Sequence, residues 1–216
     1  MMTELPVTPL TKNDFAQNVF GRRSIRKFDS DFKITRAEMQ EILTQAGRAP
    51  SSMNLQPWRF VVVDSTAGKT KLHDLVMTNT PQNDTASAMI IVFGVDHPER
   101  DDAKIYDAAV AAGTMTPATR DEEVAEIDAY YHTMGDLARE KTISLDAGLV
   151  TMQLALVARA HGYDTCIIGG FNRAGVKQAF APNEELHPEI IVAIGKAAEN
   201  GYESVRLPVA DTTTFA

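Results

Sequence analysis

Cysteine is almost absent from this chain of 216 residues, where Cys166 is the single example. One thiol excludes an internal disulfide and a multi-cysteine metal site, and it is typical of a protein in a reducing cytoplasm. The five histidines are scattered, without the spacing of a metal-binding motif: His73, His97, His132, His161 and His187. We therefore predict no metal site.

Positive charge is also scarce, since 21 lysines and arginines face 29 acidic residues and the formal net charge is −8. That field opposes non-specific binding to nucleic acid or to an anionic membrane. The longest apolar-rich runs, residues 89–95 and 148–158, are shorter than the roughly 20 residues that cross a bilayer. The first dozen residues lack the pattern of a secretory signal. We expect a soluble, cytoplasmic protein without nucleic-acid or membrane partners.

Several common nucleotide-binding, nucleophile and metal-binding motifs of enzymes are missing. The sequence contains no G-x-G-x-x-G after a strand, no G-x-x-x-x-G-K-[ST], no G-x-S-x-G and no H-E-x-x-H. If the chain is an enzyme, a bound cofactor then carries the chemistry. We accordingly predict no catalytic side chain.

Apolar periodicity and turn residues alternate along the chain. Helices are predicted at residues 8–20, 35–47, 66–77, 101–112, 121–161 and 173–180, and strands at 59–64, 89–95, 163–168 and 189–194. The stretch 97–121 is otherwise irregular and suits a mobile flap. No linker or repeat divides residues 1–216, so we predict a single α+β domain of three α/β/α layers, with residues 196–216 as a C-terminal arm of β-character.

The long helical pattern at 121–161 carries two further expectations. Its polar residues at 139–142 predict a break there. Its second half, from 143 to 158, is apolar around most of its circumference, which predicts a helix buried on all sides. A protomer could bury such a helix in its own core, or a second copy of the chain could cover it.

The segment RRSIRKF, residues 22–28, concentrates cations in an acidic chain. If it is extended, Arg22, Ser24 and Arg26 share one face, whereas Arg23 and Lys27 point the other way. Two guanidinium groups and a hydroxyl on one face suit a phosphomonoester. A plain solvated surface is the alternative.

A second segment, APSSMNLQPWRF at residues 49–60, is stiffened by two prolines. Its short polar side chains offer donors and acceptors that can read the edge of a planar heterocycle: Ser51, Ser52, Asn54 and Gln56. An ordinary capped turn before a strand, with Trp58 in the core, is the alternative.

The pair of motifs R-R-S-x-R-x-F and A-P-S-S-x-N-x-Q-P-W resembles the nitroreductase family of FMN-dependent oxidoreductases. CIIGGF at 166–171 and VRLP at 205–208 are similar to later family features, so the resemblance spans about 15–208. It implies a central, mostly antiparallel sheet flanked by helices, and a C-terminal arm extending onto the partner subunit. It also implies a homodimer with FMN at the subunit interface.

The resemblance assigns roles to individual residues. The FMN phosphate is held by Arg22, Arg23, Ser24, Arg26 and Arg206, and the flavin ring is approached from the partner subunit by Pro50, Ser51, Ser52 and Asn54. A backbone wall over the ring comes from Ile167, Ile168, Gly169 and Gly170. Asn79 and Gln82 match polar ring contacts, with a surface loop as the alternative.

Two positions depart from the pattern of some relatives. Gly169 stands where an acidic residue occurs, which leaves substrate and nicotinamide preference open. Ser204 stands where a lysine occurs, which leaves more of the phosphate charge to Arg206 and the 22–26 segment.

The implied activity is a two-step cycle. NAD(P)H reduces FMN and leaves, and then a nitroaromatic, quinone or similar small acceptor is reduced in the same slot. The alternatives are a specialised flavin enzyme of the family, such as a dehalogenase-like one, or a flavin-binding protein without turnover. Nucleic-acid binding through residues 22–27 is a third class, which the net charge opposes.

Overall fold

Nine helices and four strands make up the computed structural model, which describes residues 14–182 and 184–216. The helices are α1 Phe15–Gly21, α2 Arg36–Ala46, α3 Thr66–His73, α4 Thr80–Thr85, α5 Asp102–Ala111, α6 Pro117–Thr133, α7 Asp136–Ala160, α8 Arg173–Phe180 and α9 Val209–Thr212. The strands are β1 Trp58–Val63, β2 Ala88–Val95, β3 Asp164–Ile168 and β4 Leu186–Gly195. The predicted helix at 8–20 is confirmed from residue 15, and residues 8–13 lie outside the described residues.

The four strands form one antiparallel sheet in the order β1-β2-β4-β3. Side chains of β2 alternate between two cores: Met89, Ile91 and Phe93 pack on one face, and Ala88 and Ile90 on the other. The first core includes residues of α3 and α8, and the second includes residues of α2 and α7. This arrangement confirms the three-layer α+β fold.

Side-chain caps start several helices where the sequence predicts them. Thr35 accepts a hydrogen bond from the backbone N–H of Glu38 at the start of α2. The predicted helix at 66–77 is shorter, because Met77 has a positive φ of 54° and a 3₁₀ turn at 74–79 follows α3. Pro81 then stands in the first turn of α4, a helix that the sequence reading missed.

Helix α7 corrects the predicted position of the break in the long helical pattern. It is continuous over residues 139–142, and the chain breaks earlier, at Met134 and Gly135, where the backbone is extended. Thr142 bonds the Ala138 carbonyl within the helix, so these polar residues sit on an ordinary exposed turn. The protomer's own core does not bury this helix on all sides, since Leu145, Leu149 and Met152 are 64%, 40% and 42% exposed.

The spacing of these three residues places them on one stripe of α7, and we call Leu145, Leu149 and Met152 the apolar stripe. By length and composition α7 could cross a membrane. It packs against α2 and all four strands, however, and half of its most apolar window is buried, as in the core helix of a globular domain.

The C-terminal arm lies open on the protomer. Residues 201–208 have no regular structure, and Val205 and Leu207 are exposed. The β-character expected there is wrong for the protomer, because no strand among the described residues pairs with this segment.

Gly94 in β2 supplies a test of the packing between the sheet and α7. A Cβ on Gly94 would lie 2.3 Å from Ile143 Cγ2, and Ile143 is buried. We expect Gly94→Ala to lower the free energy of unfolding by about 1–3 kcal/mol through overpacking. Denaturant titration measures this. Gly135→Ala is the control, because a Cβ there meets no described atom within 4 Å. Equal stability of the two variants would contradict the close packing of Ile143 against Gly94.

Candidate active site

Residues 22–28 run as an extended segment along the edge of β3. Ser24 bridges Thr165 in parallel, and the N–H of Ile25 donates to the Thr165 carbonyl at 3.1 Å. Ile25 and Phe28 are buried in the core, and they fix the segment in register. The segment therefore pairs with β3 at Ser24 and with Ala197 at Phe28, bends at Arg26 between these two points, and carries its polar residues on a buried frame.

The cations of this segment have different surroundings. Arg22 and Arg26 both act on the Cys166 thiol: burial raises its pKa most, whereas a hydrogen bond from Gln82, and then the charges of Arg26 and Arg22, oppose the rise. Arg23 instead turns back, and its Nη1 donates to the carbonyls of Phe20 and Arg22. Arg23 thus caps the end of α1.

Arg22 and Arg26 are not neutralised by the protomer. Within residues 14–182 and 184–216, neither guanidinium has a carboxylate within ion-pair distance. The Arg26 guanidinium lies 4.8 Å from the Tyr202 ring centroid, and its backbone N–H donates to Glu199. Two unpaired cations flanking Ser24 are suited to a dianionic ligand.

Asn79 and Gln82 lie beside the loop after β3. Asn79 Nδ2 donates to the Gly170 carbonyl at 3.1 Å, and Gln82 Nε2 donates to Asn79 Oδ1 at 3.2 Å. Gln82 also lies 3.8 Å from Cys166 Sγ and is 4% exposed. A buried glutamine does not fit the surface-loop alternative, so this pair links residues 74–85 to the loop at 166–171.

The loop after β3 presents backbone rather than side chains. Ile168 is buried, Ile167 is partly exposed, and the chain then passes through two exposed glycines. A Cβ at Gly169 or Gly170 would meet no described atom within 4 Å. A flat molecule can therefore approach this stretch of backbone closely.

The segment at 50–57 is an ordered loop with unusual backbone angles. Met53, Asn54 and Gln56 have φ values of 49°, 52° and 49°. Ser51 Oγ accepts from the Gln56 N–H at 3.0 Å, and Gln56 Nε2 donates to the Asn54 carbonyl. Trp58 is in the core, as the capped-turn alternative expects, and the polar residues stand on the loop before it.

Two side chains that the sequence reading missed hold this loop. The Asp146 carboxylate on α7 accepts from the Ser52 N–H, and the Tyr106 hydroxyl on α5 donates to the Met53 carbonyl at 3.0 Å. Leu55 is buried beside Tyr106. Residues 97–121 are thus largely helical and support the loop, which replaces the expected mobile flap. A lone carboxylate inside an apolar helix was the available signal for Asp146.

The predicted site residues form two groups in the protomer. One joins Arg22, Ser24 and Arg26 with Asn79, Gln82 and the loop from Ile167 to Gly170. The other is the loop carrying Pro50, Ser51, Ser52 and Asn54. Among the described residues, no hydrogen bond or ion pair joins the two groups. Arg206 is exposed on the arm, and among the described residues its guanidinium donates hydrogen bonds to its neighbours Ser204 and Val205 only.

The first group fits the cofactor that the resemblance implies. Unpaired guanidinium groups beside a serine hydroxyl match the FMN phosphate. Amide side chains and an open glycine backbone match the polar edge and the flat face of a flavin ring. The donor set therefore agrees with FMN in both charge and shape.

Comparisons with known proteins agree with this geometry. The family model described as Nitroreductase family matches residues 19–196. YdgI of Bacillus subtilis (strain 168), provisionally named an NAD(P)H nitroreductase, is 45% identical over 202 residues, covering 91% of this chain and 95% of YdgI. The CLA biosynthesis enone reductase of Lactiplantibacillus plantarum is 33% identical over 211 residues, covering 97% of each chain.

A solved structure adds a likeness in three dimensions. The crystal structure of a protein from Exiguobacterium sibiricum 255-15, provisionally described as a nitroreductase and in complex with FMN, has a TM-score of 0.93 and 45% identity. The match covers 97% of this chain and all of that one. The chain belongs to the nitroreductase family of oxidoreductases.

Proposed function

We propose that this protein is an FMN-dependent oxidoreductase that takes a hydride from NAD(P)H and reduces a small organic acceptor. The observation that carries the proposal is the pair of unneutralised guanidinium groups, Arg22 and Arg26, on either side of Ser24. The FMN complex of the structural neighbour from Exiguobacterium sibiricum supports the identity of the cofactor. Bound FMN supplies hydride and electron transfer, which the side chains of the chain do not.

The residues of the chain bind and orient the cofactor. Arg22 and Arg26 neutralise its phosphate, and Ser24 donates a hydrogen bond to it, while Arg23 keeps the segment attached to the end of α1. Asn79 and Gln82 present amide groups to the ring, and residues 167–170 cover one ring face with backbone.

Donor and acceptor use one slot in turn, in a two-step cycle. The absence of a G-x-G-x-x-G motif supports this, because NAD(P)H then has no separate dinucleotide fold to occupy. The acceptor is a nitroaromatic, a quinone or a similar conjugated compound. The enone reductase among the relatives supports including α,β-unsaturated ketones. The buried single thiol, Cys166, is compatible with a cytoplasmic enzyme.

A homodimer completes the site. The apolar stripe of α7 is exposed, as are Phe15 and Phe20 of α1, which contacts α7; exposed apolar side chains gathered on neighbouring helices are typical of a protein–protein interface. The exposed arm carries Arg206, and we propose that it reaches the phosphate on the partner subunit. The loop at 50–54 likewise approaches the flavin bound by the partner, which accounts for the two separate groups in one protomer.

Flavin reduction tests the proposed activity directly. The protein loaded with FMN is expected to lose its visible flavin absorption when NADH or NADPH is added anaerobically. Addition of a nitroaromatic, a quinone or an enone then restores the absorption. A flavin that stays oxidised with both donors would leave only a flavin-binding protein; reduction without reoxidation by any of the three would point to a specialised flavin enzyme.

Phosphate recognition by Arg22 and Arg26 has its own test. We expect Arg22→Ala and Arg26→Ala each to remove about 1.5–3 kcal/mol of charged hydrogen bonding, and so to weaken FMN binding roughly 10- to 100-fold. Riboflavin, which lacks the phosphate, serves as the comparison ligand in fluorescence titrations and should bind all variants alike. Lys27→Ala is the matched control on the opposite face. Equal losses for FMN and riboflavin would refute a phosphate role.

The proposed interface predicts the effect of acidic substitutions on the apolar stripe. Leu145→Asp and Met152→Asp would each bury an unpaired carboxylate in a dimer, so we expect dissociation to monomers together with loss of FMN. Sedimentation analysis and the flavin-to-protein ratio measure both. Lys104→Asp places the same side chain on the exposed surface of α5 as a control. A wild-type monomer that retains FMN would be incompatible with this interface.

A further inference from the structure

Asp146 is a buried carboxylate in the middle of the apolar helix α7. It is 3% exposed, and both of its oxygens accept from the Ser52 N–H, at 3.2 and 3.1 Å. Burial raises its pKa, and the Ser52 N–H acts in the opposite direction. Among the described residues, no lysine, arginine or histidine lies within ion-pair distance of it.

The loop that Asp146 contacts needs external support. Met53 and Gln56 are non-glycine residues with positive φ, a strained conformation that persists only where the surrounding structure holds it. Asp146 fixes the N–H of Ser52, and Tyr106 fixes the carbonyl of the next residue, Met53. The Leu55 side chain, packed beside Tyr106, anchors the far end of the same turn.

We propose that Asp146 is a positioning residue for the flavin: its carboxylate holds the Ser52 amide so that the loop presents Ser51, Ser52 and Asn54 to the ring. This inference rests on the proposed function, since it requires FMN at that loop. Asp146 does not itself contact the cofactor in this proposal, and it acts through the backbone of Ser52.

The choice of an ionisable residue supports a role beyond packing. A buried carboxylate without a cationic partner is costly, and a neutral side chain of similar size would stabilise α7 better. What the carboxylate adds is a strong acceptor for one backbone amide, in a loop bearing residues that the family resemblance assigns to the flavin. The hydrogen bond with the Ser52 N–H therefore offsets part of the free energy that burial of the Asp146 carboxylate costs.

Two substitutions separate positioning from folding. Asp146→Leu keeps the approximate volume but removes the acceptor, and Asp146→Asn keeps a carbonyl acceptor without the charge. We expect Asp146→Leu to weaken FMN binding by about tenfold, the equivalent of about 1.4 kcal/mol, without lowering the thermal midpoint of the apoprotein. Asp146→Asn should bind FMN within about threefold of the wild type.

Thr151→Val is the matched control on the same helix. Thr151 is also buried and polar, and its Oγ1 has no hydrogen-bond partner among the residues that the structure describes. This variant should leave FMN binding unchanged. Hydrogen exchange of the apoprotein gives a second readout that does not need the flavin: the Ser52 amide should exchange faster in Asp146→Leu and near the wild-type rate in Asp146→Asn.

The outcomes are distinct. Wild-type FMN affinity in Asp146→Leu would overturn the proposal, whether or not the Ser52 amide exchanges faster. If both Asp146 variants lose thermal stability in proportion to their loss of FMN affinity, Asp146 has only a structural role. That result would also overturn the proposal. If the wild type itself fails to bind FMN, the proposed function fails, while exchange at Ser52 still reports whether Asp146 anchors the loop.

Discussion

The site depends on one constraint, which is that two arginines of one short segment, Arg22 and Arg26, have no carboxylate partner among the described residues. Like charges repel, so a flexible segment would separate them or pair them with some of the chain's many acids. The frame prevents this, because Ile25 and Phe28 are buried and the backbone of residues 24 and 25 bonds β3. Burial of apolar side chains therefore maintains a local positive charge in a protein of net charge −8.

The same frame connects the cations to the rest of the site. Cys166 and Ile168 belong to the core cluster that holds Ile25 and Phe28, and the chain leaves that cluster directly into Gly169 and Gly170. Asn79 bonds the Gly170 carbonyl from a neighbouring turn. The distance between the residues proposed for the phosphate and those proposed for the ring is thus set by one hydrophobic core, which suits a ligand with two chemically different ends.

Much of this was predictable from local rules. The helix predicted at 35–47 matches α2, which Thr35 caps, and the strands predicted at 59–64 and 89–95 match β1 and β2. The failures have a common physical cause. The polar residues at 139–142 predicted a break although the helix is continuous there. The apolar residues at 143–158 left open whether the protomer or a second copy covers them, and the protomer leaves Leu145, Leu149 and Met152 exposed. Periodicity identifies a face, but it does not say what covers that face.

Asp146 also shows that a sequence pattern does not identify what packs against a helix. Sequence patterning counts a single carboxylate in an apolar helix as an exception, because the residue that it contacts lies 94 positions away. Only the packing of α7 against the loop at 50–57 gives the carboxylate a partner. Helix α7 therefore has three separate tasks around its circumference: it covers the sheet, exposes the apolar stripe, and carries the acceptor for Ser52. A substitution on α7 acts on stability, assembly or the site according to its face rather than its distance from the cations.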